Sequence, residues 1–145
     1  MQRDIIHEFT FAQPPELVWE YLTDPALLAE WLMPNDFKAE VGHKFQFGAR
    51  PKFPLGFDGR IYCEVLEIIP FKKLVYSWKG GMSKEHPSLD STVVWTLKPT
   101  ESGTVLRLEH KGFKGMKNYL AYIIMTKGWA KIGKRLLTRL TPERK

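Results

Sequence analysis

The chain has 145 residues, of which 43% are hydrophobic, 13% aromatic and 26% charged, with five tryptophans. That length suits one domain, 1–145, and the single cysteine, Cys63, excludes an internal disulfide and suits a reducing cytoplasm. The net charge of +6 divides into −5 over residues 1–70 and +11 over residues 71–145, an asymmetry that fits either an anionic partner surface or a solvated helix face.

Met1 to Asp4 leads into no long apolar run, so neither a signal peptide nor a membrane span is expected. Residues 4–11 are β-prone and predict a first strand. Pro14 and Pro15 stop it, and Leu17, Val18, Tyr21 and Leu22 recur at helical spacing over 15–22. Thr23-Asp24-Pro25 offers an N-cap followed by proline at the first helical position, which predicts a second short helix over 25–31. The period then changes to two. Residues 37–41 and 45–47 alternate around Gly42 and read as strands. Residues 49–57, broken by Pro51, Pro54 and Gly56, read as a loop. Its Phe53, Leu55 and Phe57 would either form a lid or pin the loop on the core.

Asp58-Gly59 opens a long strand to Ile69, residues 70–73 turn it, and Leu74 to Trp78 return. Gly80-Gly81 reads as the start of a polar loop reaching about Leu89, the other candidate rim. Residues 92–97 form the next strand and 98–103 a turn. Residues 104–110 then alternate cleanly, with Thr104, Leu106, Leu108 and His110 on one face. From 117 to 140 the period is helical. Tyr122, Met125, Trp129, Ile132, Leu136 and Leu140 make an apolar stripe opposite Lys127, Lys131, Lys134 and Thr138, on a helix about 35 Å long. One strand, two short helices, a run of antiparallel strands and one long helix predict an α+β domain whose sheet buries the helix's apolar stripe.

The chemistry-bearing motifs are few. His7, His43, His86, His110 and Cys63 show no metal-ligand spacing, so no metal is expected. There is no phosphate loop, no nucleophile elbow and no outstanding carboxylate pair, so no cofactor and no catalytic residue is assigned. Cys63 reads as a small buried hydrophobe. Gly128 and Gly133 interrupt the long helix and either make room for a ligand or allow close packing. The basic residues Lys127, Lys131, Lys134, Arg135, Arg139, Arg144 and Lys145 lack interleaved exposed aromatics, so specific nucleic-acid binding is not indicated. A transient contact with an anionic membrane would suit a lipid carrier.

These segments together resemble the START-like, or SRPBCC, superfamily. The carriers are Pro15 to Trp19 followed by Leu28 and Trp31; Gly59 to Pro70 with Leu74 to Trp78; Gly103 to Phe113; and Gly128-Trp129. Within the superfamily the chain is similar to the branch named after the activator of the Hsp90 ATPase. The resemblance implies the helix-grip (START/Bet v-like) fold, a curved antiparallel sheet wrapped around a long C-terminal helix. The activator itself carries an extra N-terminal domain that engages the chaperone. Nothing in these residues corresponds to it, so the family name is not an activity of this chain.

The resemblance also implies a ligand cavity between helix and sheet. Its lining here would be Tyr76, Trp78, Trp95, Leu97, Leu108 and His110 from strands, with Tyr122, Met125, Thr126 and Trp129 from the helix. The set is mostly apolar with a few polar tips, and any one member reads first as core filler. His110 would hydrogen-bond a ligand, act as acid or base, or simply bond a carbonyl. The first expectation is a non-catalytic binder of a lipid-like or polycyclic molecule. The alternatives are a cyclase or aromatase-like enzyme and a stress- or chaperone-associated interaction module.

Overall fold

The computed structural model describes residues 2–48, 60–83, 86–114 and 119–140. Strand β1 (Gln2–Phe11) is followed by helices α1 (Pro15–Thr23) and α2 (Pro25–Trp31). Strands β2 (Lys44–Gly48), β3 (Arg60–Ile69), β4 (Lys73–Ser83), β5 (His86–Thr100) and β6 (Gly103–Lys114) come next, and helix α3 (Tyr119–Leu140) closes the order. The strands form one six-stranded antiparallel sheet in the order β1-β6-β5-β4-β3-β2. The sheet is curved and not a closed barrel, and α3 lies on its inner face: this is the helix-grip architecture.

Local chemistry sets the elements. Asp24 caps α2 by accepting from the Ala26 N–H at 2.9 Å and the Leu27 N–H at 3.3 Å, and Pro25 occupies the first helical position where its missing N–H costs nothing. On β6 the alternation is complete. Thr104, Leu106, Leu108 and His110 are buried, while Arg107 on the outer face bridges to Glu8 of β1 at 3.1 Å. Antiparallel register then lines up the inner face in rows. Ile5, His110, Val93 and Tyr76 form one; His7, Leu108, Trp95 and Leu74 the next; Phe9, Leu106 and Leu97 a third. Trp129, Leu136 and Leu140 of α3 are buried against them, with Met125 and Ile132 packed at the margin.

Two expected elements differ. Residues 37–41 alternate in sequence but pair with no strand. Phe37 is buried, yet its N–H donates to Asn35 Oδ1 at 3.0 Å, and Asp36 O accepts from His43 Nε2 at 2.9 Å. Local bonds, from the Phe37 N–H to the Asn35 side chain and from the Glu40 N–H to Lys38 O, compete with a sheet ladder for the backbone, and here they win. The expected loop from Gly80-Gly81 is instead strand: β4 runs to Ser83 and β5 starts at His86, with register shifts at Gly80/Gly81 and Gly81/Ser83. Glycines inside a strand accommodate such bulges. The candidate lid at 49–57 lies outside the described residues.

Candidate functional site

Five of the residues expected to line a cavity converge. Tyr76, Trp78, Trp95, His110 and Trp129 are each at most 1% exposed. Their rings touch: Trp78 to Trp129 at 5.2 Å, Trp78 to His110 at 5.4 Å, Trp95 to Trp129 at 5.6 Å and His110 to Trp129 at 5.8 Å between centroids. Such edge and tilted contacts add stability beyond area burial. Leu108 lies in the Trp95 row, fully buried. Met125 and Thr126 are half-buried on α3. Leu97 falls in the Phe9 row, apart from the ring cluster. The Tyr122 side chain lies outside the described residues.

A chain of hydrogen bonds fixes His110. The Trp129 indole N–H donates to His110 Nδ1 at 2.9 Å, and His110 Nε2 meets Ser91 Oγ at 2.8 Å. Ser91 Oγ in turn donates to the Trp78 carbonyl at 2.7 Å. An indole N–H can only donate, so Nδ1 must accept, and the imidazole proton belongs on Nε2. Burial lowers the His110 pKa from 6.5 to about 3, so the ring is neutral at ordinary pH. With both nitrogens engaged, His110 acts as a structural junction between β5, β6 and α3. Ser91 escaped the sequence reading, which began β5 at Thr92; the faint signal was its place two residues before Val93 on the inward face.

Trp95 Nε1 donates to Tyr76 Oη at 2.9 Å, and burial pushes the Tyr76 hydroxyl pKa well up. Trp31 Nε1 donates to Tyr21 O at 2.9 Å. Trp78 is the exception in this cluster. Its indole Nε1 is buried with no hydrogen-bond partner. An orphaned buried donor costs about 1–3 kcal/mol. Among the described residues no Lys, Arg, Asp or Glu is buried, and the buried polar groups Ser91, Thr104 and His110 are neutral.

The two helix glycines have different surroundings. A Cβ built at Gly133 would lie 2.0 Å from Phe9 Cε1, so close packing accounts for this glycine. A Cβ at Gly128, one residue before Trp129, would meet nothing within 4 Å.

The outer face carries a different feature. Asp36, Lys44, Phe45, Gln46, Tyr62, Glu64, Ser77 and Lys79 border a cleft of about 370 Å³ over β2, β3 and β4. Cys63 also borders it, but its thiol is buried, and burial first and Asp36 second raise its pKa well above the usual thiol value, which makes it a poor nucleophile. Lys127, Lys131, Lys134, Arg135 and Arg139 are exposed on α3; Arg144 and Lys145 lie outside the described residues. Among the described residues no group of three or more His, Cys, Asp or Glu could hold a metal, and no helix is long and apolar enough to cross a membrane.

A profile of the activator of Hsp90 ATPase homolog 1-like protein family matches residues 12–141. Among solved structures, the chain is similar to protein MLL2253 from Mesorhizobium loti at 38% identity, over 94% of this chain and 95% of that one, with a TM-score of 0.81. It is similar to protein BH1534 from Bacillus halodurans at 29% identity, over 97% and 100%, with a TM-score of 0.74. CalU16 from Micromonospora echinospora shares the fold at 23% identity, over 97% and 78%, with a TM-score of 0.75. No curated protein matches the chain.

Proposed function

The chain belongs to the activator of Hsp90 ATPase homolog 1-like family, and from that premise we propose that it binds a hydrophobic small molecule between the first half of α3 and the inner face of the sheet, without performing chemistry on it. The observation that carries the reading is the wall of aromatic rings, Trp78, Trp95 and Trp129, where α3 meets the inner face of the sheet, with the Trp78 indole N–H buried and unpartnered among them. Flat apolar side chains with a few fixed polar groups are what small-molecule sites are built from. Tyr76, Trp78, Trp95, Leu108, His110, Met125, Thr126 and Trp129 are its proposed wall, and Leu97 closes the far end.

Binding is favoured over catalysis by His110. A general base must be free to take a proton, and this imidazole is held neutral with both nitrogens bonded. The exposed cationic stripe of α3 is the face on which such a carrier would meet an anionic membrane, at a cost sensitive to salt.

Native mass spectrometry of protein from its own host, followed by extraction, tests the reading, together with titration of purified protein by the apolar dye Nile red. A co-purifying apolar species or saturable dye uptake is expected. An apo mass combined with no saturable uptake would overturn the proposal.

A further inference from the structure

We infer that the ligand is an uncharged molecule with a hydrogen-bond-accepting oxygen, such as a ketone or quinone carbonyl, and that the Trp78 indole N–H is the group that recognises it. The inference rests on the proposed binding reading and deepens it. Trp78 is 1% exposed, and its Nε1 has no partner. Phe47, Tyr76, His110 and Trp129 surround it, with ring centroids between 5.2 and 6.5 Å away. Their polar atoms are committed elsewhere. His110 Nδ1 accepts from Trp129, His110 Nε2 bonds Ser91, and Tyr76 Oη accepts from Trp95. The other deeply buried indoles of the core, those of Trp31, Trp95 and Trp129, all have acceptors within 2.9 Å. A donor left over in a network otherwise satisfied calls for an acceptor from outside the chain.

The charge of that acceptor follows from the same surroundings. A carboxylate or phosphate brought to Trp78 would lose its hydration and find no cation, because no Lys or Arg is buried among the described residues. A neutral carbonyl loses little water and gains the indole bond. A pure hydrocarbon leaves the donor as it is, so it binds but is not selected. Preference for an oxygenated ligand therefore arises at one atom, in the way a site built around a buried donor rejects the analogue that lacks its partner.

Benzophenone and diphenylmethane differ at one carbon, a carbonyl in the first and a methylene in the second, and diphenylacetate adds a negative charge. Titration of the protein with each, by tryptophan fluorescence and calorimetry, reads the selectivity. Benzophenone is expected to bind roughly tenfold tighter than diphenylmethane, equivalent to about 1.4 kcal/mol, with diphenylacetate weakest. Trp78→Phe should erase the preference between the two neutral probes to within about twofold. Should that variant not fold, the Trp78 indole proton in the wild-type NMR spectrum serves instead, moving downfield with benzophenone and not with diphenylmethane. Equal affinity for the two neutral probes, preference for the carboxylate, or a ketone preference that survives Trp78→Phe would overturn the inference and leave the binding reading standing. Failure of both neutral probes to bind would overturn the binding reading and the inference with it.

Discussion

The two halves of α3 meet the same sheet in different ways. Around Gly133 there is no spare room: Phe9 fills the place of a side chain, and Leu136 and Leu140 are buried beyond it. Around Gly128 a side chain would meet open space, and the neighbouring Trp129 leans on Trp78, whose indole N–H is unpartnered. Both positions read alike in sequence, as glycines that weaken a helix by about 1 kcal/mol each. The Gly133 half of the helix is therefore packed tightly on the sheet, whereas the Gly128 position leaves room for a side chain.

Trp129 joins the halves, and its loss should have the largest effect. Trp129→Ala removes a fully buried indole and leaves His110 Nδ1 without its donor. A destabilisation of about 3–5 kcal/mol is expected in urea unfolding. A much smaller loss would mean the halves are not coupled through this residue.

Gly133→Val should cost roughly 1–3 kcal/mol, because the new side chain must displace the Phe9 ring. The double variant with Phe9→Ala should show less than additive loss, since each change relieves the other. Full additivity would show that Phe9 is not what occupies the space.

The His110 junction gives the comparison a pH signature. Its folded pKa is about 3 against 6.5 in the unfolded chain, so between these values the unfolded state takes up a proton that the folded state refuses. Stability is therefore fully present above pH 6.5 and falls as pH drops toward 3, by up to about 1.4 kcal/mol per pH unit from this group. Comparing urea unfolding of the wild type with His110→Asn across that range isolates the contribution, and parallel profiles would show that His110 is not held neutral.

The smallest expected change has the opposite sign. Gly128→Ala meets nothing within 4 Å and should gain up to about 1 kcal/mol from helix propensity, seen as a raised melting temperature. Destabilisation there would mean that the space beside Gly128 is not open.

Much of this was legible beforehand, for reasons that can be named. The alternation from Thr104 to His110 and the stripe through Met125, Trp129, Ile132 and Leu136 are periodic signals, and each predicted face is the one that packs. Asp24-Pro25 marked the start of α2 because capping is decided by three or four neighbouring residues. Residues 37–41 misled because alternation cannot reveal that the Asn35 side chain and a local Glu40-to-Lys38 bond will claim the backbone. The lining set came from a family resemblance, which could not separate Leu97, in the Phe9 row, from the rings near Trp78. Neither the Ser91–His110–Trp129 chain nor the orphaned Trp78 donor has a sequence signal, since each depends on atoms from different strands and α3.

A crystal structure of the protein with benzophenone tests the central claim most directly. The ligand is expected between the first half of α3 and the inner face of the sheet, its carbonyl oxygen about 2.9 Å from Trp78 Nε1, with the Gly133 end unchanged. Benzophenone found instead in the outer cleft beside Lys44 and Lys79, with the Trp78 donor still unpaired, would contradict it.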